Sequence, residues 1–225
     1  IVKESKLDPT FKAVRDLPHY TSAKMIINEI YNSCNVFDSD FVTQFQATNF
    51  NSRLWELYLV ATFKNLGFNL LENKHDRPDF KLEKNGKIFF VEAVTSNPKI
   101  ENGKREPMFN TFDIEDEETY TKKVGSALFS KLNRKKKYWD LPWVKGHPLI
   151  LAIEPFHSSA ALNIYDFSII KYLYGISIVK YFDEENNLVI ENPKVDKHLI
   201  DGKEIPNYFD QEEAKNFSGI IYSNS

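Results

Sequence analysis

Cysteine, glycine and long apolar runs are all scarce in this chain of 225 residues. The single cysteine, Cys34, cannot form an internal disulfide, which favours a reducing compartment and a cytoplasmic location. No apolar run approaches the ~18 residues that span a bilayer, so no membrane association is expected. The 8 glycines form no dinucleotide-binding or P-loop pattern, and the 5 histidines have no zinc-site spacing. Membrane proteins, disulfide-rich scaffolds, nucleotide-loop enzymes and zinc enzymes are therefore not expected.

What remains is the composition of an ordinary globular protein, with 42% hydrophobic and 14% aromatic residues. The net charge of −3 argues against a protein that coats nucleic acid through bulk electrostatics, although a local basic patch would suffice for a small footprint. At ~150 residues per domain, the length favours one domain. We expect an N-terminal helical extension (residues 1–50), a core (51–155) and a helix with an appended β region (156–225).

The core carries the clearest secondary-structure signals. An apolar run that starts after an N-cap at Asn51 and Ser52 and stops at Gly67 predicts a buried helix. Three strands are predicted next, and Asn85-Gly86, between the second and the third, is typical of a type I′ hairpin turn. The predicted strands are Phe68–Glu72, Asp79–Lys84 and Lys87–Ser96.

Helices and strands are also expected on both sides of this region. Helices are predicted at Ser22–Cys34, Ser39–Gln46, Glu117–Trp139 and Ala160–Tyr174. Further strands are predicted at Leu149–Glu154, Ile176–Phe182, Leu188–Glu191 and Ile220–Tyr222. The core order of helix, three strands, helix and strand predicts an α/β protein with a mixed central sheet flanked by helices.

Glu56 is an anomaly on the first core helix. It is the only charged residue between Leu54 and Phe63, where the helix is expected to be buried on most sides. Burying a carboxylate without a partner is expensive, so something should compensate it. An ion pair with Arg53, one turn earlier, would meet that need without any further function.

Glu92 and Asp79 lie on the two strands of the predicted hairpin. Period-two alternation places Glu92 on an apolar face with Phe90 and Val94, where a carboxylate is paired, at an edge or functional. Asp79 opens the partner strand, although an aspartate after a proline also commonly just starts a strand. Carboxylates on adjacent strands can converge on one divalent cation, and such hard oxygens suit Mg²⁺ or Mn²⁺. A metal there can activate water and stabilise charge on a scissile phosphate.

The residues that carry these acids match a family pattern. The segments SRLWELYLVATFKNLGF, RPDF and FFVEAVTSNP, between Ser52 and Pro98, resemble the PD-(D/E)xK nuclease superfamily. The resemblance covers about residues 52–155 and implies a restriction endonuclease-like αβββαβ core. It further implies that Asp79 and Glu92 are metal ligands and that Glu56 is an accessory catalytic acid.

The chain departs from the family pattern at Val94, where the family places a lysine two residues after the second acid. Valine cannot orient a water or stabilise a pentacovalent phosphate, so either activity is lost or another cation fills the space. Lys131 and Lys135 fall on or beside the expected buried stripe of the second core helix. We expect Lys131, the one nearer the helix start, to replace the missing lysine. The alternative is that Lys131 extends along the sheet edge to solvent.

A basic run follows Lys131 and could bind backbone phosphates through Arg134, Lys135 and Lys136. Such a run is also typical of a solvated helix end. Two functions remain open: a Mg²⁺- or Mn²⁺-dependent endonuclease acting on nucleic acid, with DNA favoured, and an inactive nuclease-like module that binds nucleic acid or a protein. By analogy, cleavage of both strands of a duplex predicts a homodimer.

Overall fold

The structure is a computed structural model, and it describes residues 2–34, 37–47, 49–72, 78–98, 100–101, 104–105, 116–163 and 166–223. The α-helices in these ranges are α1 (Pro9–Asp16), α2 (Thr21–Asn32), α3 (Phe41–Gln46), α4 (Phe50–Asn65), α5 (Glu117–Leu132) and α6 (Asp166–Tyr174). The strands are β1 (Asn69–Leu71), β2 (Phe80–Lys84), β3 (Lys87–Ser96), β4 (Ile100–Glu101), β5 (Lys104–Arg105), β6 (Leu149–Pro155), β7 (Val179–Phe182), β8 (Leu188–Glu191), β9 (Lys197–Ile200), β10 (Lys203–Pro206) and β11 (Gly219–Tyr222). No helix within these ranges is long and apolar enough to cross a membrane.

A five-stranded mixed sheet forms the centre of the fold, with strand order β1-β2-β3-β6-β11. The first three strands are antiparallel neighbours, whereas β3, β6 and β11 run parallel to one another. Helix α4 packs on one face of this sheet and α5 on the other. The predicted mixed α/β class is therefore confirmed.

Helix α4 is apolar nearly all round because it is covered on two sides. Trp55, Val60 and Phe63 pack against the sheet, and the Trp55 indole N–H donates a 2.9 Å hydrogen bond to the Ala152 carbonyl on β6. On the opposite side, Leu57 packs into an aromatic cluster built with α1, α2 and α3. The N-terminal helices thus fix α4 in place above the sheet.

Helix α5 packs through the predicted stripe. Val124, Leu128 and Leu132 are buried against Phe90 and Val94 of β3. These contacts place the β3 residues of even number, including Glu92, on the α5 side of the sheet. The expected face for Glu92 is therefore confirmed.

The hairpin turn between β2 and β3 fixes the register of the two acid-bearing strands. Asn85 and Gly86 have φ of 53° and 74°, as a type I′ turn requires. The strands then pair so that Phe80 faces Val91. Asp79, which immediately precedes β2, is consequently held next to the centre of β3.

Several predicted boundaries were wrong. Helix α4 begins at Phe50, so Asn51 and Ser52 do not cap it; their side chains instead bond to Asn97 and Thr95 at the end of β3. Helix α5 ends at Leu132 rather than at Trp139, because the chain turns there and brings the next aromatic segment into the core.

The C-terminal region also differs from the expected appendage. Strand β11 joins the central sheet beside β6, and separate two-stranded sheets form from β7 with β8 and from β9 with β10. The predicted helix over residues 160–174 is a short 3-10 helix (Ala161–Asn163) followed by α6, while residues 164–165 lie outside the described ranges. The sequence did not predict α1, β4, β5, β9 or β10.

Replacing Gly86 by alanine should destabilise the fold by about 1 kcal/mol, because an L side chain is strained at this positive φ. Urea denaturation followed by circular dichroism measures the difference. Gly219→Ala is the matched control, since Gly219 lies in a strand with open space around it. Equal stability of the Gly86→Ala variant and the parent would contradict the assigned turn.

Candidate active site

Glu92 is fully buried, with 0% of its surface exposed, in the middle of β3. Its Oε1 atom accepts a 2.9 Å hydrogen bond from Lys131 Nζ and a second hydrogen bond from the Tyr138 hydroxyl. The Arg134 guanidinium lies 3.8 Å from the same oxygen. A buried carboxylate is thus compensated by cations and a hydroxyl that belong to α5 and to the segment that follows it.

Lys131 reaches Glu92 from the last turn of α5. Its predicted pairing with the acidic site is therefore present, and Lys135, the other candidate, lies beyond the end of the helix. The Lys131 side chain keeps 18% of its surface exposed and also lines an open polar cleft. It connects the buried acid to that cleft and does not extend along the sheet edge to solvent.

The cleft has a volume of about 460 Å³ and lies where α3, α4, α5 and the acid-bearing strands meet. Glu56 from α4 and Asp79 from the start of β2 both line it, together with Lys131. Glu92 lies behind the cleft wall and is joined to it through Lys131. The structure therefore brings all four predicted catalytic residues to one region, with two acids at the surface of the cleft and one beneath it.

Asp79 is held against β3 by the backbone. Its Oδ2 atom accepts a 2.8 Å hydrogen bond from the amide of Ala93, the residue after Glu92. This bond positions the Asp79 carboxylate across the hairpin from the strand segment that carries Glu92. A rigid strand rather than a loop thus sets the location of this cleft acid.

Glu56 forms the local ion pair that the sequence allowed. Arg53 donates a 2.7 Å hydrogen bond to Glu56 Oε2, and each side chain is only 13% exposed. Burial raises the pKa of Glu56 above its usual value, Arg53 lowers it, and the charges of Asp38 and Glu92 raise it. Pairing with Arg53 and membership of the acidic site therefore coexist in one residue.

The predicted phosphate-binding residues occupy two different environments. The Arg134 guanidinium stacks over the Tyr138 ring at 4.6 Å and donates to the Tyr138 hydroxyl. Lys135 and Lys136 are exposed, and the Lys136 ammonium lies 5.7 Å from the Trp143 ring centroid. Arg134 thus belongs to the surroundings of Glu92, while contact of the three residues with nucleic acid stays a prediction.

The cleft acids have the chemistry that a hard divalent cation requires. Mg²⁺ is commonly bound through one or two carboxylates, with water and substrate phosphate completing its shell. Of the predicted ligands, Asp79 lines the cleft, whereas Glu92 lies behind its wall with Oε1 engaged by Lys131 and Tyr138. Glu56 also lines the cleft and could supply an oxygen there, although Arg53 already donates to its Oε2 atom. Across the described residues, no group of three or more His, Cys, Asp or Glu side chains is arranged to hold a metal ion.

Sequence reasoning missed Tyr138 as a member of this site. It follows the basic run and was given no role, but its ring is buried and its hydroxyl donates to Glu92. A buried carboxylate needs more than one hydrogen-bond donor, and a tyrosine hydroxyl can provide one inside a core. That requirement could have indicated a tyrosine near Glu92.

Comparisons of the chain with protein-family models, with curated proteins and with solved structures each returned no match. The function must therefore be inferred from the arrangement of the residues themselves.

Replacing Lys131 by methionine should destabilise the protein by about 3 kcal/mol, because it removes a cation from a buried carboxylate. The double variant Glu92→Gln/Lys131→Met should recover most of that loss. Urea denaturation of both variants and of Glu92→Gln measures the coupling. Lys122→Met is the control, since Lys122 pairs with Asp201 at the surface and should change stability by less than ~1 kcal/mol. An equal loss of unfolding free energy in the Lys131→Met and Lys122→Met variants would contradict the role assigned to the buried pair.

Replacing Arg53 by methionine should raise the pKa of Glu56 further, because Arg53 is the partner that lowers it against burial. Carbon-detected NMR titration of the glutamate carboxyl groups measures the change. Arg15→Met, which removes a cation that pairs with Glu4 and Asp16 on the exposed side of α1, should leave the Glu56 titration unchanged. A fall in the Glu56 pKa in the Arg53→Met variant would refute this account of the cleft.

Proposed function

We propose that the protein is a divalent-metal-dependent endonuclease that hydrolyses phosphodiester bonds, with DNA as the favoured substrate. The observation that carries the proposal is the contact between Lys131 and Glu92 beside a cleft lined by Asp79 and Glu56. Val94 cannot provide the cation that a nuclease of this type needs, and Lys131 supplies one from a neighbouring helix.

The order of elements supports the same proposal. The chain runs through α4, β1, β2, β3, α5 and β6, with the small β4–β5 hairpin inserted after β3. Asp79 immediately precedes β2, Glu92 lies on its antiparallel partner β3, and β6 adds a parallel neighbour. We infer that this part of the chain is a restriction endonuclease-like core.

Each residue has a distinct role in this proposal. Asp79 and Glu56 would hold Mg²⁺ or Mn²⁺ in the cleft, with Glu92 contributing negative charge from behind. When bound, such an ion lowers the pKa of water and offsets charge on the phosphate. The exposed part of Lys131 orients the attacking water and stabilises charge that develops on the phosphate oxygens. Glu92 holds the lysine in place, Tyr138 holds Glu92, and neither acts on the substrate directly.

The alternative is a nuclease-like module that binds nucleic acid or a protein partner without cleavage. The observation in its favour is that Glu92 Oε1 already accepts from Lys131 and Tyr138, so the buried acid is compensated without a metal. In that case the exposed Lys135 and Lys136 would contact phosphates, and the cleft acids would have no catalytic role.

The parent protein should cleave one component of a mixed pool of genomic DNA, single-stranded DNA and RNA in Mn²⁺, and Asp79→Asn should abolish the cleavage. Lys131→Met should reduce the rate by about 100-fold or more, because it removes the group that stabilises transition-state charge. Lys122→Met, on the same helix but outside the cleft, should cleave at the parent rate. Gel electrophoresis of end-labelled substrates measures all four proteins.

Equal background cleavage by the parent and Asp79→Asn would reject the endonuclease proposal. Binding of the same substrates by both proteins, measured by fluorescence anisotropy, would then favour the inactive module.

If the parent cuts both strands of a duplex, sedimentation velocity should show the homodimer that coordinated cleavage by one site per chain requires.

A further inference from the structure

A second cavity of about 360 Å³ lies on the other side of α4, where α1 and α2 cover the end of β6. Its walls are mainly apolar side chains of α2 and α4. These include Ile26, Ile27, Ile30, Leu54 and Trp55. Cavities of this size commonly hold small organic ligands, and a much smaller apolar cavity of ~150 Å³ already accepts benzene.

One carboxyl group faces this apolar cavity. Glu154 of β6 lines it and is only 1% exposed, and among the described residues the Ser223 hydroxyl is the polar group beside its carboxyl, with no cation to pair with it. It points to the α4 side because it lies two residues after Ala152, whose side chain packs in the same cluster as Trp55 and Val60 of α4. A buried carboxyl group without a counter-charge is costly to ionise, so an acid retained at this position requires a physical reason.

We propose that this cavity binds a small apolar amine, whose ammonium group pairs with the Glu154 carboxyl group while its hydrocarbon part fills the space between α2 and α4. The apolar walls select a hydrocarbon body, and the single acid on the cavity wall selects a cationic head group. The inference is independent of the nuclease proposal, because Glu154 and the acidic cleft lie on opposite sides of α4.

Protonation of Glu154 makes this binding dependent on pH. Burial raises the pKa of Glu154 to about 8, and the Ser223 hydroxyl offsets only part of the rise. The other titratable groups that line the cavity within the described residues are the phenols of Tyr20 and Tyr58. At neutral pH the carboxyl group is mostly protonated, so an ammonium ion must displace its proton. Affinity should therefore rise with pH until about pH 8.

Isothermal titration calorimetry with 2-phenylethylamine and 2-phenylethanol tests the proposal, since the two probes share one skeleton and differ in the head group. Near pH 8 the amine should bind about 10- to 100-fold more tightly than the alcohol. Near pH 6 this preference should shrink. Near pH 7, titrations in two buffers of different ionisation enthalpy should show release of almost one proton for each amine bound.

Glu154→Gln is the decisive variant. It should lose the preference for the amine but still bind the alcohol, whereas Glu29→Gln, on the exposed side of α2, should behave like the parent. Glu154→Gln should also melt at a higher temperature than the parent, by a margin that grows from about pH 5 to pH 9. The sign follows because the folded pKa of about 8 exceeds the reference value of 4.5, so ionisation of Glu154 costs the parent stability as pH rises.

Three results would overturn the proposal. The first is equal affinity of the parent for the amine and the alcohol near pH 8. The second is undiminished amine binding by a folded Glu154→Gln variant. The third is absence of binding of the amine at concentrations up to about 10 mM.

Discussion

The need to compensate one buried carboxylate, Glu92, determines much of the arrangement around the candidate active site. With 0% of its surface exposed, this group cannot use water, so donors must come from the protein. Helix α5 supplies Lys131, and the turn after the helix supplies Tyr138. The early end of α5 has the same cause. A helix that continued past Leu132 would carry Tyr138 along its own axis instead of turning the phenol back toward β3.

The cleft in front of Glu92 brings clustered acids together with two cations that only partly offset their mutual repulsion. Asp38, Glu56 and Asp79 line it, opposed by Arg53 and Lys131. The pKa of Glu56 is raised because burial and the neighbouring negative charges raise it more than Arg53 lowers it. A divalent cation in the cleft would relieve this repulsion, and a phosphate would in turn find Lys131 beside it. In the proposed nuclease, the charges that repel one another in the cleft would be the groups that bind the metal ion and the substrate.

Local patterns predicted the parts of the fold that local chemistry determines. The β3 boundaries, the Asn85-Gly86 turn and the face of Glu92 follow from period-two alternation and from the φ angles that a tight turn requires. Helix α4 was recognisable because its own apolar residues lie on nearly all of its faces. The sequence did not show that α1, α2 and α3 pack on the side of α4 that faces away from the sheet.

Features that depend on distant partners escaped prediction. Strand β11 pairs with β6 from the far end of the chain, and nothing in its own four residues distinguishes it from the exposed strands β7 and β8. Lys131 was predicted because it borders the buried stripe and is nearer the start of α5 than Lys135, but its partner Glu92 could be identified only from the sheet that α5 packs on. Glu154 was read only as the end of a buried strand. The cavity that it lines depends on α2, a helix more than a hundred residues away. The two buried glutamates thus differ, since the chain brings a counter-charge to Glu92 but none to Glu154.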